Sequence, residues 1–412
     1  MVDNRALKGF YSNRTFQELA KAHWDYVPGL VAYSVLKAWE QYPQREDYYQ
    51  QVKAYADHCL QGGDTLSVGN SNIDDLAAGK ILLTLYQTEL KRGNKADAGR
   101  YKNCVTFLRN KLKYNHSRIA LPKDGAGGFF HKAQYPNQMW LDGLYMGPAL
   151  YSGWQAVFGK EAGEEDNLQS WNDIALQFKT IHRFTYDRDK QLNYHAWSAT
   201  PEDPNSFWAQ KSGSYKGCSP EFWGRGMGWY FAALVDVLEV MPKDHPDFKA
   251  LTRIANDVAA GLARYQDKQS GCWYQLLQYD SSKKGDSKGD EILGEIHNKC
   301  DNSNYLESSA SSMFTYAYLK GIRLGILNRS TYLKMAEKAY QGLLTNFIRE
   351  DKSGELSIIQ SCASAGLGPA KDKSRTGTAN YYLCGKDVAI VQNEGKAIGP
   401  FIQASLEFER RR

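Results

Sequence analysis

The feature that most constrains this chain is an alternation of two kinds of helical segment. One kind carries Gly, Ala and Ser on one side and Leu, Tyr and Trp on the other, and it recurs at Gly29 to Tyr42, Leu76 to Tyr86, Leu141 to Phe158, Gly226 to Met241, Ser308 to Leu327 and Gly399 to Phe408. Between these lie charged amphipathic segments: Glu46 to Gln61, Lys95 to Lys113, Glu165 to Ile181, Asp247 to Tyr265 and Ser330 to Ile348. A helix that is apolar all round and rich in small residues belongs inside, where backbones can approach closely. One with a single apolar stripe belongs on the surface. Six inner and about six outer helices in alternation predict an all-α fold, a closed (α/α)6 barrel of six helical hairpins. Each hairpin buries one face and needs neighbours on both sides. No Pro/Gly/Ser-rich linker interrupts the middle of the chain, so residues 1–412 read as one domain.

Composition narrows the function. The net charge of +5 is spread along the chain instead of gathered in one arm, which argues against nucleic acid as a partner. No run of eighteen apolar residues offers a membrane span. The opening MetValAspAsnArg has no apolar leader core, so the chain reads as cytoplasmic, or as exported with its signal peptide removed, in a bacterium. With 10 Trp, 27 Tyr and 16 Phe there are more aromatic rings than a core needs, and the excess suits a cleft that stacks sugars. The 7 cysteines form no CxxC or Cys/His cluster and read as buried thiols, with neither a disulfide framework nor a metal site. The GlyArgGlyMetGly run at 224 to 228 lacks the flanking strand that a dinucleotide loop needs, so no cofactor is indicated. Residues 281 to 291 read as a solvated loop tip.

Long gaps between inner segments, at 125 to 138, 183 to 220, 266 to 304 and 350 to 391, predict functional loops. Candidate chemistry gathers where these loops enter inner helices. Asp142 opens one inner helix and the Asp74-Asp75 pair opens the preceding one; a carboxylate there either caps the helix or works in catalysis. Inner-helix starts line one mouth of such a barrel, so Asp74 and Asp142 are expected to share a cleft. Each then pushes the other's pKa apart, with the second acid raising that of Asp142. His131, Trp140 and His195 lie near Asp142 in sequence or at the same mouth. Trp223, Arg225 and Trp229 alternate with glycines that let a ligand approach. Arg225 is either a barrel-wall ion pair or a planar fork for a carboxylate, and Glu307 reads as a packing or capping residue.

GlnMetTrpLeuAspGlyLeuTyrMet (138 to 146), PheTrpGlyArgGlyMetGlyTrpTyr (222 to 230) and AsnTyrLeuGluSerSerAlaSerSerMetPhe (304 to 314) together resemble the family 105 glycoside hydrolases, the unsaturated rhamnogalacturonyl hydrolases and relatives acting on unsaturated uronic acids. The resemblance runs from TrpAspTyrValProGly at 24 to 29 to the final GlyProPheIleGlnAlaSerLeuGlu. It implies a six-hairpin barrel, with Asp142 as general acid/base and Asp74, or its rival Asp75, as the second acid. It also implies a substrate pocket drawing on Tyr26, Asp75, His131, Trp140, His195, Trp223, Arg225 and Trp229. The implied substrate is an oligosaccharide ending in a 4,5-unsaturated uronic acid, most simply of rhamnogalacturonan type, handled by a monomer without metal or cofactor. A family 88-like unsaturated glucuronyl hydrolase and a non-catalytic carbohydrate-binding barrel are the alternatives. Asp142 and the second acid speak against the latter.

Overall fold

In the computed structural model, residues 19–410 apart from 293 are described. The opening residues 1–18, read above for the absence of a leader core, lie outside them. Among the described residues there are thirteen α-helices in chain order: α1 (Tyr26–Gln41), α2 (Glu46–Leu60), α3 (Lys80–Lys91), α4 (Lys95–Asn110), α5 (Leu141–Met146), α6 (Pro148–Phe158), α7 (Glu164–Thr185), α8 (Gly224–Val240), α9 (Phe248–Arg264), α10 (Ser308–Arg323), α11 (Arg329–Phe347), α12 (Ala379–Cys384) and α13 (Gly395–Arg410). The six inner segments become α1, α3, the α5–α6 pair, α8, α10 and α13; α2, α4, α7, α9 and α11 form the outer layer. The inner wall is closed, since α10 packs on α13 and α13 packs on α1. Among the described residues no helix is long and apolar enough to cross a membrane.

Small residues set the approach of the inner helices. A Cβ on Gly29 of α1 would lie 2.4 Å from the Ala78 Cβ, and one on Gly228 of α8 would lie 2.7 Å from the Met313 sulfur of α10. Two inner segments are less regular than their periodicity suggests. The segment from Leu76 starts as a 3-10 turn, Ile73–Gly79, before α3 begins. The segment from Leu141 breaks at Gly147, because Pro148 has no N–H to continue the ladder and opens a fresh helix instead.

The four long loops converge on the end of the barrel where inner helices start. The strand Gln138–Trp140 pairs with Ala196–Ser198, joining the first loop to the second. Trp223 bridges to Leu276, and Tyr274 to Leu306, joining the third. One expectation is corrected in this layer and another is extended. Cys300 and Cys384 form a disulfide across 84 positions, so not all cysteines are buried thiols; nothing in their spacing advertised the pair. The 281 to 291 run is the solvated loop expected, most of its residues being exposed, and it is also tied to the segment around α12. Asp290 Oδ2 accepts from Asn298, Thr376 and Thr378, and the Asp286 N–H donates to Asn380.

Candidate active site

Asp142 follows Trp140, the last residue of the short strand, and sits in the first turn of α5. Its Oδ2 lies 2.9 Å from His195 Nε2, and His195 Nδ1 lies 2.7 Å from the Tyr382 hydroxyl. His195, expected at the substrate, is fully buried behind the acid and does not line the cavity; its contact there is with Asp142. Burial by itself would raise the Asp142 carboxyl, but the charge and hydrogen bond of His195 outweigh it and hold the group below the ordinary range.

Asp74 comes from the 3-10 turn before α3. Lys132 Nζ is 2.6 Å from its Oδ2, and His131 Nε2 is 3.7 Å from its Oδ1, which is buried with no hydrogen-bond partner. Burial, and then the neighbouring Lys132 cation, keep His131 neutral, with its pKa well below the usual value. His131 therefore does not form a second ion pair with Asp74. Burial raises the Asp74 carboxyl, Lys132 opposes it, and the charge of Asp142 adds to the rise. The coupling of the two acids thus runs opposite to the expectation: it raises Asp74, while Asp142 stays ionised.

Asp75 is spent elsewhere. Its carboxylate accepts from the Gly69 N–H at 2.8 Å and from Asn72 Nδ2 at 2.7 Å, which folds the preceding loop. Asp75, expected at the substrate, is not among the residues lining the cavity. The 3-10 turn aims one side chain of the pair at the cleft and the other at the loop, a choice that the AspAsp dipeptide does not reveal.

Tyr26, Asp74, His131, Trp140, Asp142, Trp223, Arg225 and Trp229 line one cavity of about 120 Å³. His131 stacks on Trp140 with ring centres 4.2 Å apart, and Tyr26 meets Trp229 edge-on at 6.5 Å. Arg225 is almost wholly buried. It donates to the Cys362 carbonyl and, at 3.4 Å, to Ser309 Oγ, while its Nε has no partner. Glu307 caps α10, accepting from the Ala310 N–H at 2.7 Å, and also takes the Cys362 N–H at 2.9 Å.

Sequence reasoning missed Lys132, Tyr135, Arg375 and Lys396, which line the same cavity, and Tyr382 behind it. Lys132 stands beside His131 and could have been found with it. Arg375 and Tyr382 come from the last long loop, where no motif marks them. Together with Arg225, these cations give the cleft a positive lining. Arg375 pairs with Asp387 at 3.0 Å and Lys396 with Glu394 at 2.8 Å. Among the described residues no group of three or more His, Cys, Asp or Glu side chains could hold a metal ion.

The sequence model of the family described as Glycosyl Hydrolase Family 88 matches residues 2–288 and 295–412. Protein Atu3128 of Agrobacterium fabrum is 30% identical over 61% of this chain and 95% of its own length. The unsaturated rhamnogalacturonyl hydrolase YesR of Bacillus subtilis is 24% identical over 87% of this chain and 84% of its own. Among solved structures, a family 105 glycoside hydrolase of C. acetobutylicum superposes with a TM-score of 0.81 at 35% identity, covering 99% of this chain and 100% of that one. With a family model spanning nearly its whole length and a family 105 structure matched end to end, this chain belongs to the glycoside hydrolases of families 88 and 105.

Proposed function

We propose that this hydrolase removes a 4,5-unsaturated uronic acid from the non-reducing end of lyase-made oligosaccharides, with rhamnogalacturonan fragments as the substrate class. The observation that carries the reading is the pair Asp74 and Asp142 in one aromatic, cation-lined cleft, one acid shifted toward its protonated form and the other held ionised. Ordinary glycoside hydrolysis sets two carboxylates about an anomeric carbon. Here the substrate is a vinyl ether conjugated to a carboxylate. A proton added at C4 leaves positive charge shared by C5 and the ring oxygen; water adds at C5, and the hemiketal opens to release the next sugar.

Asp142 handles both protons in the first reading. It is ionised in the empty cleft and takes its proton through the 2.9 Å contact with His195 once the anionic uronate adds its own negative charge. It gives that proton to C4 and recovers one from the water. The raised Asp74 favours a second division, in which Asp74 protonates C4 and Asp142 with His195 activates the water. Arg225, Lys132 and Lys396 attract the carboxylate, and the Trp rings pack against the sugar face. The Cys300–Cys384 disulfide favours the exported form of the protein, because thiols stay reduced in the cytoplasm.

Decay of the enoate absorbance measures turnover. Asp142→Asn is expected to lose about 10² to 10⁴ in kcat. An equal loss in Asp74→Asn selects the second division, and a loss below about tenfold selects the first. Asp75→Asn is the control for loop folding. A saturated uronyl disaccharide should remain intact, and in heavy-oxygen water the label should enter at C5. Cleavage of the saturated sugar, or label at C1, overturns the reading.

A further inference from the structure

The inner helices line a second cavity, open to solvent and of about 310 Å³, at the other end of the barrel. Tyr26 at the start of α1 lines the cleft, while Glu40 near the end of the same helix lines this cavity. At 1.5 Å per residue the two sites are about 20 Å apart along the helix.

Two residues that line this cavity have unmet demands. Lys80, the first residue of α3, is 6% exposed. Its Nζ stands 3.4 Å from the centre of the Tyr145 ring and 4.9 Å from that of Tyr33, and no hydrogen-bond acceptor reaches it. The other cations of the cavity are committed: Lys320 lies 2.7 Å from both Asp236 and Glu239, and Lys37 lies 2.8 Å from Glu40. Asp236 is half used. Its Oδ1 takes the Tyr316 hydroxyl and Lys320, while its Oδ2 is buried without a donor. Aromatic faces replace part of the hydration of an ammonium group but offer no lone pair for its N–H bonds. A buried amine without a hydrogen-bond acceptor and a buried carboxylate oxygen without a donor both cost stability, even though Asp236 attracts Lys80 through space, and a ligand carrying the complementary groups relieves both.

We propose that this axial cavity is a second ligand site, taking a monosaccharide-sized hydroxy acid whose carboxylate meets Lys80 and whose hydroxyl donates to Asp236. The volume suits one sugar unit, at the small end of ligand pockets. The Tyr33 ring, which lines the cavity, suits the C–H side of a polyol. Burial pushes the Lys80 amine down to about 7, so an anion beside it also restores the full charge. The site shares no residue with the cleft and does not depend on the chemistry proposed there.

Calorimetry of the full-length protein with sodium gluconate as probe, beside glucose and sodium sulfate, tests the site. One gluconate site is expected, about tenfold or more tighter than for either comparison compound, and weakened by a similar factor in Lys80→Met. Lys396→Met, which takes a cation out of the cleft, should bind gluconate as the wild type does, which separates this site from the cleft. In a second measurement that needs no variant, peptide mass spectrometry should show gluconate slowing acylation of the Lys80 amine in the wild type. The proposal fails if gluconate gives no binding heat, if glucose or sulfate binds as well, if Lys80→Met binds unchanged, or if Lys80 is acylated at the same rate with and without gluconate.

Discussion

At the scale of single residues, the site works through partners that hold its acids in different states. Tyr382 fixes His195 from behind, and His195 fixes Asp142. Tyr382→Phe removes one hydrogen bond and frees the imidazole to change tautomer. It is expected to lower kcat by about tenfold and to shift the pH profile, with KM little changed. An unchanged pH profile would assign Tyr382 to packing alone. Glu221 offers a stability test nearby. Burial pushes its carboxyl up to about 7 from the ordinary 4.5. The native chain therefore binds the extra proton between those values, and stability falls as pH rises through that window. Glu221→Gln should raise the melting temperature at pH 8, by a gain of about 1–3 kcal/mol, and have no effect near pH 4. A gain of equal size at both pH values would trace the effect to packing.

Among the elements, α12 decides how the last long loop meets the cleft. It is a six-residue helix, too short to hold itself in water. The Cys300–Cys384 bond, the Asp290 hydrogen bonds to Thr376 and Thr378, and the Asn380 contacts pin it, and with it Tyr382. Cys384→Ser should destabilise the protein by about 2–4 kcal/mol. Amide exchange should quicken first in residues 379 to 384, measured by hydrogen exchange with mass spectrometry. Uniform quickening across the barrel would show instead that the disulfide supports the whole fold and not this strap.

For the molecule as a whole, closure is the property that matters. A solenoid can lose its last repeat and keep the others, because each contacts only its neighbours. In this barrel α13 is the last inner helix and also the partner of the first. Gln403 donates to Ser34 at 2.8 Å, Arg323 meets Glu407 at 2.7 Å, and the Tyr340 hydroxyl reaches Ser405 at 3.1 Å. Deleting residues 395 to 412 should therefore abolish the single cooperative unfolding transition in circular dichroism and not merely shift it. A truncated chain with a sharp transition would show that the ring is not energetically closed.

The sequence by itself determined the two helix classes, their alternation and the family. Burial all round and burial on one stripe leave different periodicities, and short motifs such as TrpLeuAspGly keep their neighbours. It also placed Asp142, Trp140, Trp223, Arg225 and Trp229 at one mouth, because these stand next to inner-helix starts. Tertiary structure alone decided what depends on groups distant in the chain. Asp74 and not Asp75 faces the cleft, because a 3-10 turn packed against His131 and Lys132 sets the rotation. Asp142 is the ionised acid, because His195 arrives from 53 residues away. Cys300 meets Cys384, and Lys80 is left without an acceptor, because close contacts at those points depend on how the loops and helices fold together, which no local pattern of residues encodes.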